Sequence, residues 1–140
     1  MALNQELLAK SNENWMWVEV MRADRSLSRY NTVVSRIYYS VFQLVKCVMV
    51  HNLEEHHDLP ESHKMAMDAA TGVHFLAQQY LTDLDWKLGN NYKDLVGFRE
   101  QADYKKVPIS KAAYDEIINY WVEKRNLFYN NIQQHGKLLI

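Results

Sequence analysis

Apolar residues recur at helical intervals along most of the chain, and the pattern divides it into five segments. Between Ala2 and Ala23, Leu3, Leu7, Leu8, Trp15, Val18 and Met21 lie among good helix formers with no Gly or Pro, which predicts a first helix. Ser26, Ser28 and Asn31 then offer capping oxygens, and unbroken periodicity begins just after Asn31, so Asn31 is the expected N-cap of a second helix over roughly 31–51. Val34, Ile37, Tyr38, Val41, Phe42, Val45, Val48 and Met49 cover about half of its circumference. The opposite side is a narrow stripe of Arg36, Ser40, Gln43 and Cys47 flanked by Tyr39, which reads as an uncovered working surface.

From Asn52 to Glu61 the composition turns to His, Glu, Asp and Pro, a connecting loop in which Pro60 is preset for a helix start. A third helix is expected from near Ser62 to about Tyr80, with Gly72 a weak point, and Asp83 or Asp85 opens a fourth carrying Leu88, Leu95, Phe98 and Ala102. The stretch Tyr104 to Pro108 ends it, because Pro108 disfavours helical geometry at Val107. Ser110 caps a fifth helix striped by Tyr114, Ile118, Trp121, Phe128 and Ile132, and Gly136 stops it. The prediction is an all-α, four- to five-helix up-and-down bundle, one domain over residues 1–140.

Composition sharpens this. Four Gly and two Pro in 140 residues leave little material for the tight turns of a sandwich or barrel. Sixteen basic against 17 acidic residues give a formal charge of −1, so no global positive field holds nucleic acid non-specifically. The local basic excess of Arg22, Arg25, Arg29 and Arg36, with Asp24 among them, spans a helix break and reads as a solvated corner. The single Cys47 forms no internal disulfide and reads as a packing residue. The N-terminus resembles no signal segment, and the apolar run Val41 to Val50 is interrupted by Gln43 and Lys46 and shorter than the ~20 residues of a membrane span, so a cytoplasmic protein with no membrane contact is expected.

His51, His56, His57, Asp58 and His63 invite a metal reading, but their spacing matches no zinc pattern, and no metal or other cofactor is expected. Arg125 falls inside the apolar stripe of the fifth helix, between Trp121 and Phe128, and needs a carboxylate or an aromatic face supplied by a dimer interface or by the bundle itself.

Three motifs follow in order: Arg36-Ile37-Tyr38-Tyr39 with Phe42 on the second helix, Ser62-His63 at the third helix start, and Arg99-Glu100-Gln101-Ala102-Asp103-Tyr104 on the fourth. Over most of residues 4–132 the chain resembles the HEPN domain (higher eukaryotes and prokaryotes nucleotide-binding), in its small prokaryotic branch with an Arg-x-Tyr-Tyr helix and an Arg-x-x-Ala-Asp-Tyr signature. The resemblance implies a helical bundle that forms homodimers, often encoded beside a small nucleotidyltransferase in a toxin–antitoxin or defence-like module, and in many branches a metal-independent endoribonuclease.

The ribonuclease motif of that family is Arg, a polar residue, then His after four to six intervening positions. Here Arg99 is followed by Asp103 and Tyr104 and no His. Metal-free RNA cleavage needs a group near pKa ~6.5 to move the proton of the 2′-hydroxyl, which Asp does poorly. The resemblance therefore implies either a ribonuclease with a degenerate motif, Arg99, Asp103 and a substitute imidazole from His63 being its catalytic candidates, or a non-catalytic partner of a nucleotide or nucleotidyltransferase. In both, Arg36, Tyr39, Ser62 and Tyr104 are the candidate nucleotide- or RNA-binding residues. Arg99 and Asp103 are also spaced as an i,i+4 surface ion pair, which alone stabilises by only ~0.3–0.5 kcal/mol.

Overall fold

A computed structural model describes residues 5–24, 29–55, 73–104 and 107–138 of the chain. Among these residues there are five helices and no strand: α1 (Gln5–Ala23), α2 (Tyr30–Glu55), α3 (Val73–Leu84), α4 (Trp86–Tyr104) and α5 (Lys111–His135). The all-α bundle expected from periodicity is what forms.

Helix α2 is the axis, and each of the other four packs on it. The start, middle and end of α2 meet the start, middle and end of α5: Ile109 N–H donates to Asn31 Oδ1 at 2.9 Å, Arg125 Nε donates to Ser40 Oγ at 3.2 Å, and His51 Nε2 would lie 3.7 Å from a Cβ at Gly136. These two helices are parallel. Ser35 pairs with Asp103 and Tyr39 with Arg99, so α4 runs antiparallel to α2. Ser11 meets Ser40 and Asn14 meets Arg36, so α1 runs antiparallel to α2.

Because α2 is enclosed, the stripe expected to be a working surface is exposed only at Arg36. Ser40 and Cys47 are fully buried, and α1 covers them with its own buried line of Leu8, Ser11, Trp15 and Val18. Small side chains on both helices permit that approach. Ser11 Oγ donates to the Ser40 carbonyl at 2.7 Å and Ser40 Oγ to that of Ser11 at 2.9 Å, so no hydroxyl is left wanting. The 22 residues Tyr30–His51 are apolar and long enough to cross a membrane, more than the interrupted ten-residue run suggested, but 61% of that window is buried within the bundle. Their apolar character serves the core.

Three boundaries differ from the sequence reading. Helix α2 starts at Tyr30, one residue before the expected cap, since Asn31 spends its oxygen on Ile109. It continues to Glu55 instead of stopping near 51, because nothing before Pro60 breaks it. Helix α3 runs past Tyr80 to Leu84; the expected start near Ser62 and the weak point at Gly72 lie outside the described residues. Of the two candidate openers of α4, Asp85 has the role: its Oδ1 accepts from Lys87 N–H at 2.8 Å and from Leu88 N–H at 3.3 Å. Ser110 caps α5 by accepting from Ala113 N–H, and Gly136 closes it with φ +70°.

Arg125 is buried, and the bundle itself supplies its partners. Its guanidinium donates to Ser40 Oγ, to Ser11 Oγ at 3.3 Å and to Asn12 Oδ1 at 2.5 Å, and lies over the rings of Trp15 (5.3 Å) and Tyr129 (4.9 Å). Burial pulls its pKa down to about 10, still charged near neutrality.

The corner between α3 and α4 leaves no room for a side chain at position 89. A Cβ on Gly89 would fall 2.1 Å from Thr82 Oγ1 and 2.6 Å from Thr82 Cα, whereas one on Gly97 would meet nothing within 4 Å. Gly89→Ala is therefore expected to lower stability by about 1–3 kcal/mol although Ala is the better helix former, and Gly97→Ala to raise it by up to about 1 kcal/mol. Urea melts of the two variants would check the opposite signs.

Candidate functional site

The first two turns of α2 and the last of α4 face each other across a cleft of about 290 Å³. Asn31, Thr32, Ser35, Arg36 and Tyr39 line it from α2, at the spacing that puts residues on adjacent helical rows, and Ala102 and Asp103 line it from α4. Arg36 is exposed, and Asn14 of α1 orients it: Arg36 Nη1 donates to Asn14 Oδ1 at 2.9 Å, while Asn14 Nδ2 donates to Gln43 Oε1 at 2.9 Å. Among the described residues the remaining guanidinium donors of Arg36 have no partner.

Arg99 sits behind this cleft. Its Nη2 donates to Tyr39 Oη at 3.1 Å, and its guanidinium carbon lies 5.1, 5.5 and 5.6 Å from the ring centres of Tyr38, Tyr39 and Tyr104. The i,i+4 pair with Asp103 forms, Nε to Oδ2 at 3.5 Å, but both side chains are largely covered, at 16% and 27% exposure, so it is not the solvated ion pair of a free helix face. Ser35 Oγ reaches the same Asp103 oxygen at 3.4 Å. Burial works against the Arg99 cation, but the Tyr39 hydroxyl and the surrounding tyrosines outweigh it and push its pKa up.

A further layer lies deeper. Tyr38 is buried, and desolvation pushes its hydroxyl up to about 12. That hydroxyl is hydrogen-bonded to His74 Nδ1, and the His74 ring stacks on Phe42 with centroids 4.2 Å apart. Burial, then the nearby Arg99 and Lys46 charges, hold the His74 pKa below its ordinary value, so the imidazole is neutral at pH 7.

The structure thus brings Arg36, Tyr39, Arg99, Asp103 and Tyr104 into one region, with Tyr104 on the outer side of Arg99. Ser62 and His63 lie outside the described residues, as do His56, His57 and Asp58 of the His-rich segment. Of the basic corner residues, Arg22 pairs with Glu19 at 3.5 Å and Arg29 is exposed. Sequence reasoning passed over His74 and Asn14. His74 had a signal, since it precedes the buried Ala77 and Leu81 by three and seven residues and so belongs to the inward row of α3. Asn14 had none, because its role depends on which part of α2 lies opposite.

No family model, curated protein or solved structure matches this chain. The geometry of the cleft is accordingly what bears on function.

The depressed His74 pKa gives a pH signature with a definite sign. Below the unfolded value near 6.5 the unfolded chain takes up a proton that the folded one resists, so the His74 contribution is neutral above that pH and destabilising as pH falls below it. His74→Gln is expected to flatten the loss of stability between pH 7 and 5 relative to wild type. Urea midpoints at the two pH values would measure it; parallel slopes would count against a shifted His74.

Proposed function

We propose that the chain is a HEPN-type cytoplasmic protein that binds a nucleotide or the end of an RNA strand in the α2/α4 cleft without cutting it, acting as a homodimer beside a small nucleotidyltransferase in a toxin–antitoxin or defence-like module. The observation that carries the binding part is Arg36: an exposed guanidinium at the cleft wall, aimed by a neutral amide and not by a carboxylate, so that its charge is available to phosphate. Tyr39 lines the cleft, and Tyr104, exposed on the outer side of Arg99, keeps a ring open to solvent that is suited to a base. The family motifs described above supply the rest of the reading.

Binding without cleavage is favoured because the groups of the cleft are already engaged. Arg99 is wrapped in three tyrosines and tied to Asp103, which limits its reach to a scissile phosphate. Asp103 brings a negative charge where cleavage would need a proton carrier near neutrality. A ribonuclease reading draws on one observation, the neutral imidazole of His74 near Arg99, and requires its free nitrogen to reach the substrate.

Calorimetric titration with ribonucleoside monophosphates and short oligoribonucleotides tests the proposal. Arg36→Ala is expected to weaken binding by about tenfold or more with an almost unchanged melting temperature. Arg99→Ala is expected to cost about 2 kcal/mol of stability, since it empties an aromatic cage and leaves the Tyr39 hydroxyl unpaired. Wild-type affinity in Arg36→Ala would reject the cleft as the site. RNA cleavage that disappears in His74→Gln would replace binding by catalysis as the function.

A further inference from the structure

The cleft between α2 and α4 is lined by one cation, Arg36, and one anion, Asp103, and the fold holds them on opposite sides of it. Ser35 and Arg36 are neighbours in the chain, so their side chains leave α2 about 100° apart. Ser35 turns to α4, its Oγ 3.4 Å from Asp103 Oδ2, whereas Arg36 turns to α1 and donates to Asn14 Oδ1 at 2.9 Å. The guanidinium is therefore anchored on the α1 side and the carboxylate on the α4 side. Arg99 lies behind the carboxylate, 16% exposed and wrapped in the rings of Tyr38, Tyr39 and Tyr104, so the α4 wall presents Asp103 and not Arg99 to the cleft. Asp103 also keeps acceptor capacity. Its two contacts among the described residues, Ser35 Oγ and Arg99 Nε at 3.5 Å, are both long and both on Oδ2, and the buried Arg99 Nε makes no hydrogen bond in this arrangement. An ionised carboxylate can accept about four.

A phosphate and a sugar hydroxyl are suited to opposite walls of such a site. A guanidinium with free donors attracts phosphate, while a carboxylate attracts O–H donors and repels a further phosphate. A ribose whose 3′ oxygen is unesterified offers adjacent 2′ and 3′ O–H donors; a deoxyribose lacks the first, and a 3′-phosphate replaces the second with negative charge. The cleft volume of about 290 Å³ falls near the lower end of the ~300–1,000 Å³ of small-ligand sites, which suits a single nucleotide unit. Resting on the reading of this cleft as a nucleotide site, we propose that it selects a terminal ribonucleotide with a free 2′,3′-diol: Arg36 holds the phosphate on the 5′ side, Asp103 accepts from the diol, and the Asp103 charge excludes a 3′-phosphate. Asp103 is then the residue that determines specificity and not a proton carrier. A free ribonucleoside 5′-monophosphate and the 3′ end of an RNA strand carry these same groups.

Calorimetric titration of the full chain tests this with a short oligoribonucleotide ending in a 3′-hydroxyl, in a 3′-phosphate or in a 2′-deoxynucleotide, and with AMP beside adenosine 3′,5′-bisphosphate. Wild type is expected to bind the 3′-hydroxyl form at least about tenfold more tightly than the 3′-phosphate form, with the deoxy form between them. Asp103→Asn keeps the size of the side chain and removes its charge, and is expected to bring the 3′-phosphate form to within about threefold of the 3′-hydroxyl form, with circular dichroism showing that the helices remain. Arg36→Ala is expected to weaken every form alike and leave their ratio unchanged. Binding of AMP without the oligonucleotides, with the bisphosphate discriminated against, upholds the inference for a free nucleotide; binding of the oligonucleotides upholds it for a strand end. Equal affinity of wild type for 3′-hydroxyl and 3′-phosphate forms overturns it, as does a preference that survives Asp103→Asn; if Arg36→Ala still weakens binding in those cases, the cleft remains the nucleotide site. Absence of binding by wild type, or binding that Arg36→Ala leaves untouched, overturns the reading of the cleft and this inference with it.

Discussion

The enclosure of α2 on all sides is the constraint from which the rest of the structure follows. A helix packed by four others must satisfy most of its polar side chains from its neighbours, and from Asn31 to Gln43 α2 does so repeatedly. Asn31 accepts from the α5 entry, Arg36 and Gln43 share Asn14 of α1, Tyr39 accepts from Arg99 of α4, and Ser40 joins Ser11 and Arg125. Together these contacts tie α1, α4 and α5 to α2, so the polar residues fix register and orientation while the valines and leucines around them supply the burial.

Two arginines are handled alike, and the likeness explains how a bundle of nearly balanced charge buries cations. Arg125 and Arg99 both lie on aromatic faces and both donate to hydroxyls. Burial lowers the Arg125 pKa; Arg99 lies nearer solvent, and against its smaller burial the Tyr39 hydroxyl and the surrounding tyrosines raise its pKa. A planar, weakly hydrated guanidinium tolerates such surroundings where an ammonium does not. The difference in exposure separates a cation that holds the bundle together from one that borders a ligand cleft.

The cleft itself is a consequence of helix ends. It forms where α2 begins and α4 finishes, next to the chain that leads into α5, so its walls come from segments distant in sequence but rigidly held. The sharp corner at Asp85 and Gly89 sets the direction of α4 and thereby carries Arg99 and Asp103 to the start of α2. An exposed Arg36 beside a polar wall is what this arrangement leaves open.

Much of this was legible in the order of residues. Helical periodicity, the Ser110 cap and the Gly136 stop depend on interactions within a few positions, and those were read correctly, as was the burial of Tyr38 against the half-exposure of Tyr39. The Arg-x-Tyr-Tyr and Arg-x-x-Ala-Asp-Tyr motifs directed attention to Arg36, Arg99 and Asp103, and the bundle brings α2 and α4, which carry them, to one cleft. The sequence could not tell that Ser40 faces inward, because a polar residue opposite an apolar arc reads as solvent-facing until a second helix is known to cover it; Cys47, read as a packing residue, is buried as that reading expects. Nor could it show Asn31 serving another helix instead of its own, or His74 under Tyr38. Local order determines which segments are helical and where they stop, since those energies arise between near neighbours. Only the tertiary structure decides which polar atoms meet, because a hydrogen bond across the bundle depends on the relative position of helices that the chain connects but does not orient.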